Sequence, residues 1–188
     1  LAAGETPVII DGGGNVRLAA LGLARAFPGA RIVTVEPDPE NFEILRRNVA
    51  PLGARVLPVI GGIWNRSTSL VVYNQEAGAA AVRVRPAEQG EEGQVQAYGI
   101  GDLWALAGGS AAGPLLVVKL DIEGSQSALF AENTGWLGDA HLVLLELEDY
   151  LFPWEGNSRT FFRALAEYPY DYIMHGDTMA CYRHVDVP

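Results

Sequence analysis

The chain has a single cysteine, Cys181, so it can form no internal disulfide and no cysteine-based zinc site. It has no long apolar run. Its hydrophobic stretches are strand-length and broken by charge, which excludes a membrane-spanning helix from the sequence reading. It has no run of lysine or arginine, and its formal net charge is −10. Nucleic acid and anionic membrane surfaces are therefore poor main partners. No secretory signal, internal repeat or P-loop pattern is visible. The sequence opens on Leu1 and enters its first apolar run almost at once, as a trimmed domain would, and a cytoplasmic setting is the default expectation.

What is present is a chain of 188 residues, 49% hydrophobic and 19% charged, of a size for one globular domain over 1–188. It is organised around the stretch from Pro7 to Phe27. Val8-Ile9-Ile10 is a short apolar run that ends on Asp11; Gly12, Gly13, Gly14 and Asn15 follow. Val16, Ala19, Ala20, Leu23 and Phe27 then recur at helical spacing. Strand, glycine turn and helix form the first unit of a nucleotide-binding α/β domain, in which glycine lets the backbone approach a ligand closely.

Arg31 to Glu36 reads as a second strand. Asp38, Pro39 and Glu40 then start a helix with the stripe Phe42, Leu45 and Val49. Ala54 to Ile60 is a third strand stopped by Gly61-Gly62, and β-α-β-α-β predicts a parallel, doubly wound sheet. Ser67–Tyr73 and Ala80–Val84 break the pattern and predict an inserted β-hairpin. Val95–Leu106 fits a strand and then a short helix, and Gly108–Gly113 reads as a small-residue linker. Leu115–Asp121 and His141–Leu147 are buried-strand patterns, with a helix starting at Gln126 between them. An amphipathic helix after Asn157 leads to a closing antiparallel hairpin around His175-Gly176-Asp177.

In open α/β sheets ligands sit at the carboxyl ends of the strands, and here those ends carry acids: Asp11, Glu36, Asp121 with Glu123, and Glu146. Glu36 stands where an acid at the tip of the neighbouring strand accepts hydrogen bonds from a ribose diol. The loop GGGNVR lacks the spacing of a dinucleotide fingerprint, and Asp11 at its entrance would repel a pyrophosphate. Such an acid suits a ligand with an ammonium group, as in S-adenosylmethionine.

VIIDGGGNVR, VEPDPENFEILRRNV and VVKLDIEGSQ, followed by LVLLELE, resemble the motif series of FkbM-type methyltransferases, a class I S-adenosylmethionine-dependent group. The resemblance runs from Val8 to about Tyr172. It implies a mostly parallel seven-stranded sheet with a reversed last strand, S-adenosylmethionine as cofactor, and methylation of a hydroxyl on a small-molecule, sugar or lipid-like acceptor. It also implies that Asp11, Gly12, Gly13, Gly14 and Asn15 form the cofactor loop and that Glu36, followed by Pro37, takes the ribose. By the same likeness Gly62 and Ile63, with Trp64, meet the adenine, while Asp121, which also belongs to the cofactor-binding set, forms with Glu123 and Gly124 the acidic turn on the acceptor side. Arg17 departs from the family, which has glycine there.

Asp121 and Glu123 are the candidate bases, since methyl transfer to an unactivated alcohol benefits from proton removal. Lys119 alternates with both in extended chain, and a Lys119–Glu123 ion pair is the structural alternative. Two further functions stay open: a fold relative without catalysis, and a nicotinamide-dependent oxidoreductase, against which the missing loop glycine speaks.

Overall fold

The computed structural model describes residues 5–15, 18–72, 84–88, 90–122, 124–147, 149–150 and 153–184. Val8–Gly12 forms β1, with every residue buried, and Leu18–Ala26 forms α1. Arg31–Glu36 is β2 and Pro39–Val49 is α2. Asp38 caps α2 by accepting from the backbone N–H groups of Glu40 (3.0 Å) and Asn41 (2.8 Å), which is why the helix starts where proline can sit without losing a bond. A 3-10 segment over Ala50–Arg55 delays the third strand, so β3 runs Val56–Ile60 rather than from Ala54.

After a second, smaller sheet come α3 (Ile100–Leu106) and α4 (Gly109–Ala112). The run expected to be a plain linker thus contains one helical turn. Leu115–Leu120 is β8, Gln126–Leu129 is α5, Leu142–Glu146 is β9 and Ser158–Leu165 is α6. The hairpin β10 (Tyr170–His175) and β11 (Thr178–Arg183) closes the chain.

The main sheet has seven strands in the order β10-β11-β9-β8-β1-β2-β3. β11 runs antiparallel to both β9 and β10, and the pairs β9–β8, β8–β1, β1–β2 and β2–β3 are parallel. Alternation along the central strands divides the core. Ile9, Ile32 and Val117 meet Ala20, Ala24, Leu45 and Val49 of α1 and α2. Ile10, Val33, Val118 and Leu145 meet Leu103 of α3, Leu129 of α5 and Phe161 of α6. The chain leaves β1 towards β2 and β3, then returns to place β8 on the other side of β1. That reversal opens the crevice at which such sheets bind ligands.

The smaller sheet contains β4 (Gly62–Ile63), β5 (Thr68–Val72), β6 (Val84–Pro86) and β7 (Val95–Tyr98), in the order β4-β7-β5-β6. β5 and β6 pair antiparallel, as expected of the inserted hairpin. The expected strand segment Ala80–Arg83 lies outside the described residues. The hairpin does not stand alone, because β7 pairs with β5 and with β4, and Trp64, Leu70 and Ala97 form a core of their own.

Candidate functional site

Register places Thr34 of β2, Asp11 of β1 and Lys119 of β8 side by side in one row across the sheet. Asp11 is fully buried; its Oδ2 accepts a hydrogen bond from Thr34 Oγ1 at 2.9 Å. Its Oδ1 has no hydrogen-bond partner and lies 3.4 Å from Lys119 Nζ. Burial pushes the Asp11 carboxyl above its ordinary value, and the Lys119 charge and the Thr34 hydroxyl pull against that shift. Thr34 is a site residue that the strand-end pattern of acids does not single out. The signal available for it was a polar side chain inside the apolar run of β2.

Each glycine of the loop is packed by the chain itself. A Cβ at Gly12 would lie 2.5 Å from Ile63 Cδ1, and one at Gly14 would lie 2.4 Å from Thr34 Oγ1. Gly13 has φ +75°, and its Cβ would fall 1.9 Å from the Asp121 carbonyl oxygen. The N–H groups of Gly13 and Gly14 both donate to Val35 O, at 3.1 and 2.9 Å. The loop is thereby sewn to β2, while Asp121 N donates to Gly12 O at 3.1 Å on the β8 side.

Glu36 joins two loops. Its Oε2 accepts from Asn15 N at 2.7 Å and its Oε1 from Asp38 N at 2.9 Å. The turn after β1 is thus fixed to the turn after β2, with Asn15 at φ 45° and Pro37 exposed beside it. A carboxylate offers about four acceptor sites, so both oxygens retain capacity for a diol. Gly62 is half-buried, Ile63 is buried against Gly12, and Trp64 is buried in the small core, so all three brace the loop and the second sheet.

Asp121, with its side chain 46% exposed, stands at the end of β8, its Oδ2 3.4 Å from Lys119 Nζ. Glu123, Val16 and Arg17 lie outside the described residues, as do Glu148 and Phe152. At the end of β9 the Glu146 carbonyl accepts from the buried Gln126 Nε2, which ties α5 to the same rim. His175 is exposed at the tip of β10. Among the described residues no group of three His, Cys, Asp or Glu is placed to hold a metal ion, and no helix is long and apolar enough to cross a membrane. The structure brings Asp11, the glycine loop, Glu36 and Asp121 together at the ends of three adjacent strands. These carboxylates fit a cationic, diol-bearing ligand; Asp11 Oδ1 is buried without a hydrogen bond and faces the Lys119 ammonium at 3.4 Å.

Solved structures share this architecture. Fibrillarin in its complex with Nop5p aligns over 98% of this chain and 75% of its own, with a TM-score of 0.51 at 12% identity. The precorrin-6y C5,15-methyltransferase of Geobacter metallireducens aligns over 98% of this chain and 84% of its own, with a TM-score of 0.50 at 12% identity. This is a Rossmann-like methyltransferase fold. In sequence, the methyltransferase sdnD of Sordaria araneosa is 41% identical over 46 residues, which is 24% of this chain and 18% of that protein. No family model matches the chain.

Proposed function

We propose that the protein is an S-adenosylmethionine-dependent methyltransferase of the FkbM type that methylates a hydroxyl oxygen of a small-molecule, sugar or lipid-like acceptor in the cytoplasm. The observation that carries this reading is the convergence of Asp11, Glu36 and Asp121 at the reversal point of a methyltransferase fold. The sequence likeness to sdnD supports the same class. The cofactor supplies a methyl group on a sulfonium sulfur, ready for in-line displacement.

The chain supplies position. Gly12 to Asn15 border the amino-acid arm, Glu36 accepts from the ribose hydroxyls, and the Gly62–Ile63 edge borders the adenine. Asp121 is the exposed acid of the set; it orients the acceptor hydroxyl and takes its proton as the oxygen attacks. Glu123, two residues on, is the second candidate for that proton. The net charge of −10 favours a small acceptor over nucleic acid.

A second reading, a methyltransferase fold kept as a binding or structural module, is favoured by the two backbone bonds already made by Glu36. Titration calorimetry with S-adenosylhomocysteine separates the two. Wild type is expected to bind, and Glu36→Ala to bind at least about tenfold more weakly while still folded, the loss of one charge-assisted contact or more. Failure of folded wild type to bind would overturn the enzyme reading. Binding should be followed by an acceptor screen with labelled cofactor.

A further inference from the structure

Lys119 is the chain's only lysine; every other permanent cation is an arginine. Its ammonium lies 3.3 Å from Gly12 O and 3.5 Å from Gly13 O in the loop after β1. It lies 3.4 Å from Asp11 Oδ1 in β1 and 3.4 Å from Asp121 Oδ2 in the turn after β8. We propose that Lys119 is a positioning residue: by holding the carbonyls of Gly12 and Gly13 it fixes the cofactor loop and ties that loop to the Asp121 carboxylate beside it. What the loop binds rests on the methyltransferase reading; that Lys119 holds the loop does not.

The loop is gripped from two sides. On the β2 side its amides, Gly13 N and Gly14 N, are spent on Val35 O. On the β8 side its carbonyls point at Lys119. Gly13 is held at positive φ between these two sets of contacts. An ammonium is a compact charge with three donors that can face oxygens from several directions. A guanidinium presents a flat fork, which suits a carboxylate better than four scattered oxygens. Lys119 is largely withdrawn from solvent, its side chain 22% exposed, so its charge is weakly screened.

A plainer role is possible for the same side chain: neutralising buried Asp11 and nothing more. The two roles separate in a double variant. Lys119→Met keeps the aliphatic length and removes the charge, leaving Asp11 without its cation; Asp11→Asn combined with Lys119→Met removes both charges. The double variant is expected to regain most of the thermal stability that Lys119→Met loses, since no buried charge is left alone. Its affinity for S-adenosylhomocysteine is expected to stay about tenfold below that of Asp11→Asn alone, because Gly13 O is still unheld and Gly12 O keeps only its bond from Asp121 N.

Amide hydrogen exchange gives a readout that needs no ligand. Gly13 and Gly14 are expected to exchange about tenfold or more faster in Lys119→Met and in the double variant than in wild type and Asp11→Asn. Recovery of both affinity and slow exchange in the double variant would overturn the proposal and leave Lys119 a counter-ion. So would unchanged exchange in either lysine variant. If Lys119→Met fails to fold, the double variant against Asp11→Asn carries the comparison. If folded wild type binds no S-adenosylhomocysteine, the cofactor reading fails and exchange alone decides the role of Lys119.

Discussion

Gly13 has room for no other residue, since any Cβ there would meet the backbone oxygen of Asp121, and its φ of +75° disfavours L side chains independently. Gly13→Ala is expected to cost about 3 kcal/mol or more, from strain and clash together. Urea denaturation measures this, and a near-wild-type midpoint would show that the loop relaxes freely. The sequence marks Gly13 as a loop glycine by its place after a strand, but not the reason it must be glycine. That reason lies in Asp121, distant in the chain and adjacent in space. Cys181 is a second case at this scale. Buried in β11, its thiol is pushed up to about 12 by burial. The thiolate is the reactive form, so the native protein is expected to resist Ellman's reagent and to react once unfolded. Rapid stoichiometric reaction of the folded protein would contradict this.

Among the elements, α2 was legible in full because its signals are local. Asp38, Pro39 and Glu40 announce the start, and Leu45 and Val49 are buried as their spacing requires. Asp38→Ala removes the side chain that caps two N–H groups and is expected to lower stability by about 1 kcal/mol. Thermal unfolding reads that loss; the bond from Asp38 N to Glu36 is made by the backbone and survives the substitution. The smaller sheet was only half legible, since β5 with β6 follows from a β-rich pattern, whereas β4 spans only Gly62–Ile63 and owes its existence to β7. Pairing between segments that far apart leaves no period to read in either one. The 3-10 segment before β3 is similar, because Gly53 at φ 58° turns the chain within what reads as the approach to a strand. In the site, the acids at the strand ends were legible by position; Thr34 beneath Asp11 and the reach of Lys119 to the loop carbonyls depend on register.

For the molecule as a whole, acidity decides the pH response, and the paired carboxylates do not all act in one direction. Glu43, bonded to Arg46 and Arg47, is lowered to about 2, and Glu91 is lowered by Arg85. Stability from such groups is present above their unfolded values and is lost as pH falls. Asp11 acts the other way, because burial raises it above 3.8. The folded chain binds that proton more tightly than the unfolded chain does. The stability tied to Asp11 is therefore greatest below 3.8 and declines as pH rises through the higher folded value, after which it is level. Subtracting the urea-unfolding free energy of wild type from that of Asp11→Asn cancels the surface pairs and isolates this group. The difference is expected to grow in favour of Asp11→Asn as pH climbs above 3.8 and to flatten once pH exceeds the raised folded value. The points should be taken on both sides of the isoelectric region near 4.7, where low net charge promotes association. A difference that does not change with pH would mean that Asp11 ionises as easily inside the sheet as in the unfolded chain. On a Lys119→Met background the rise should extend to higher pH, because the cation that opposes the burial of Asp11 is gone.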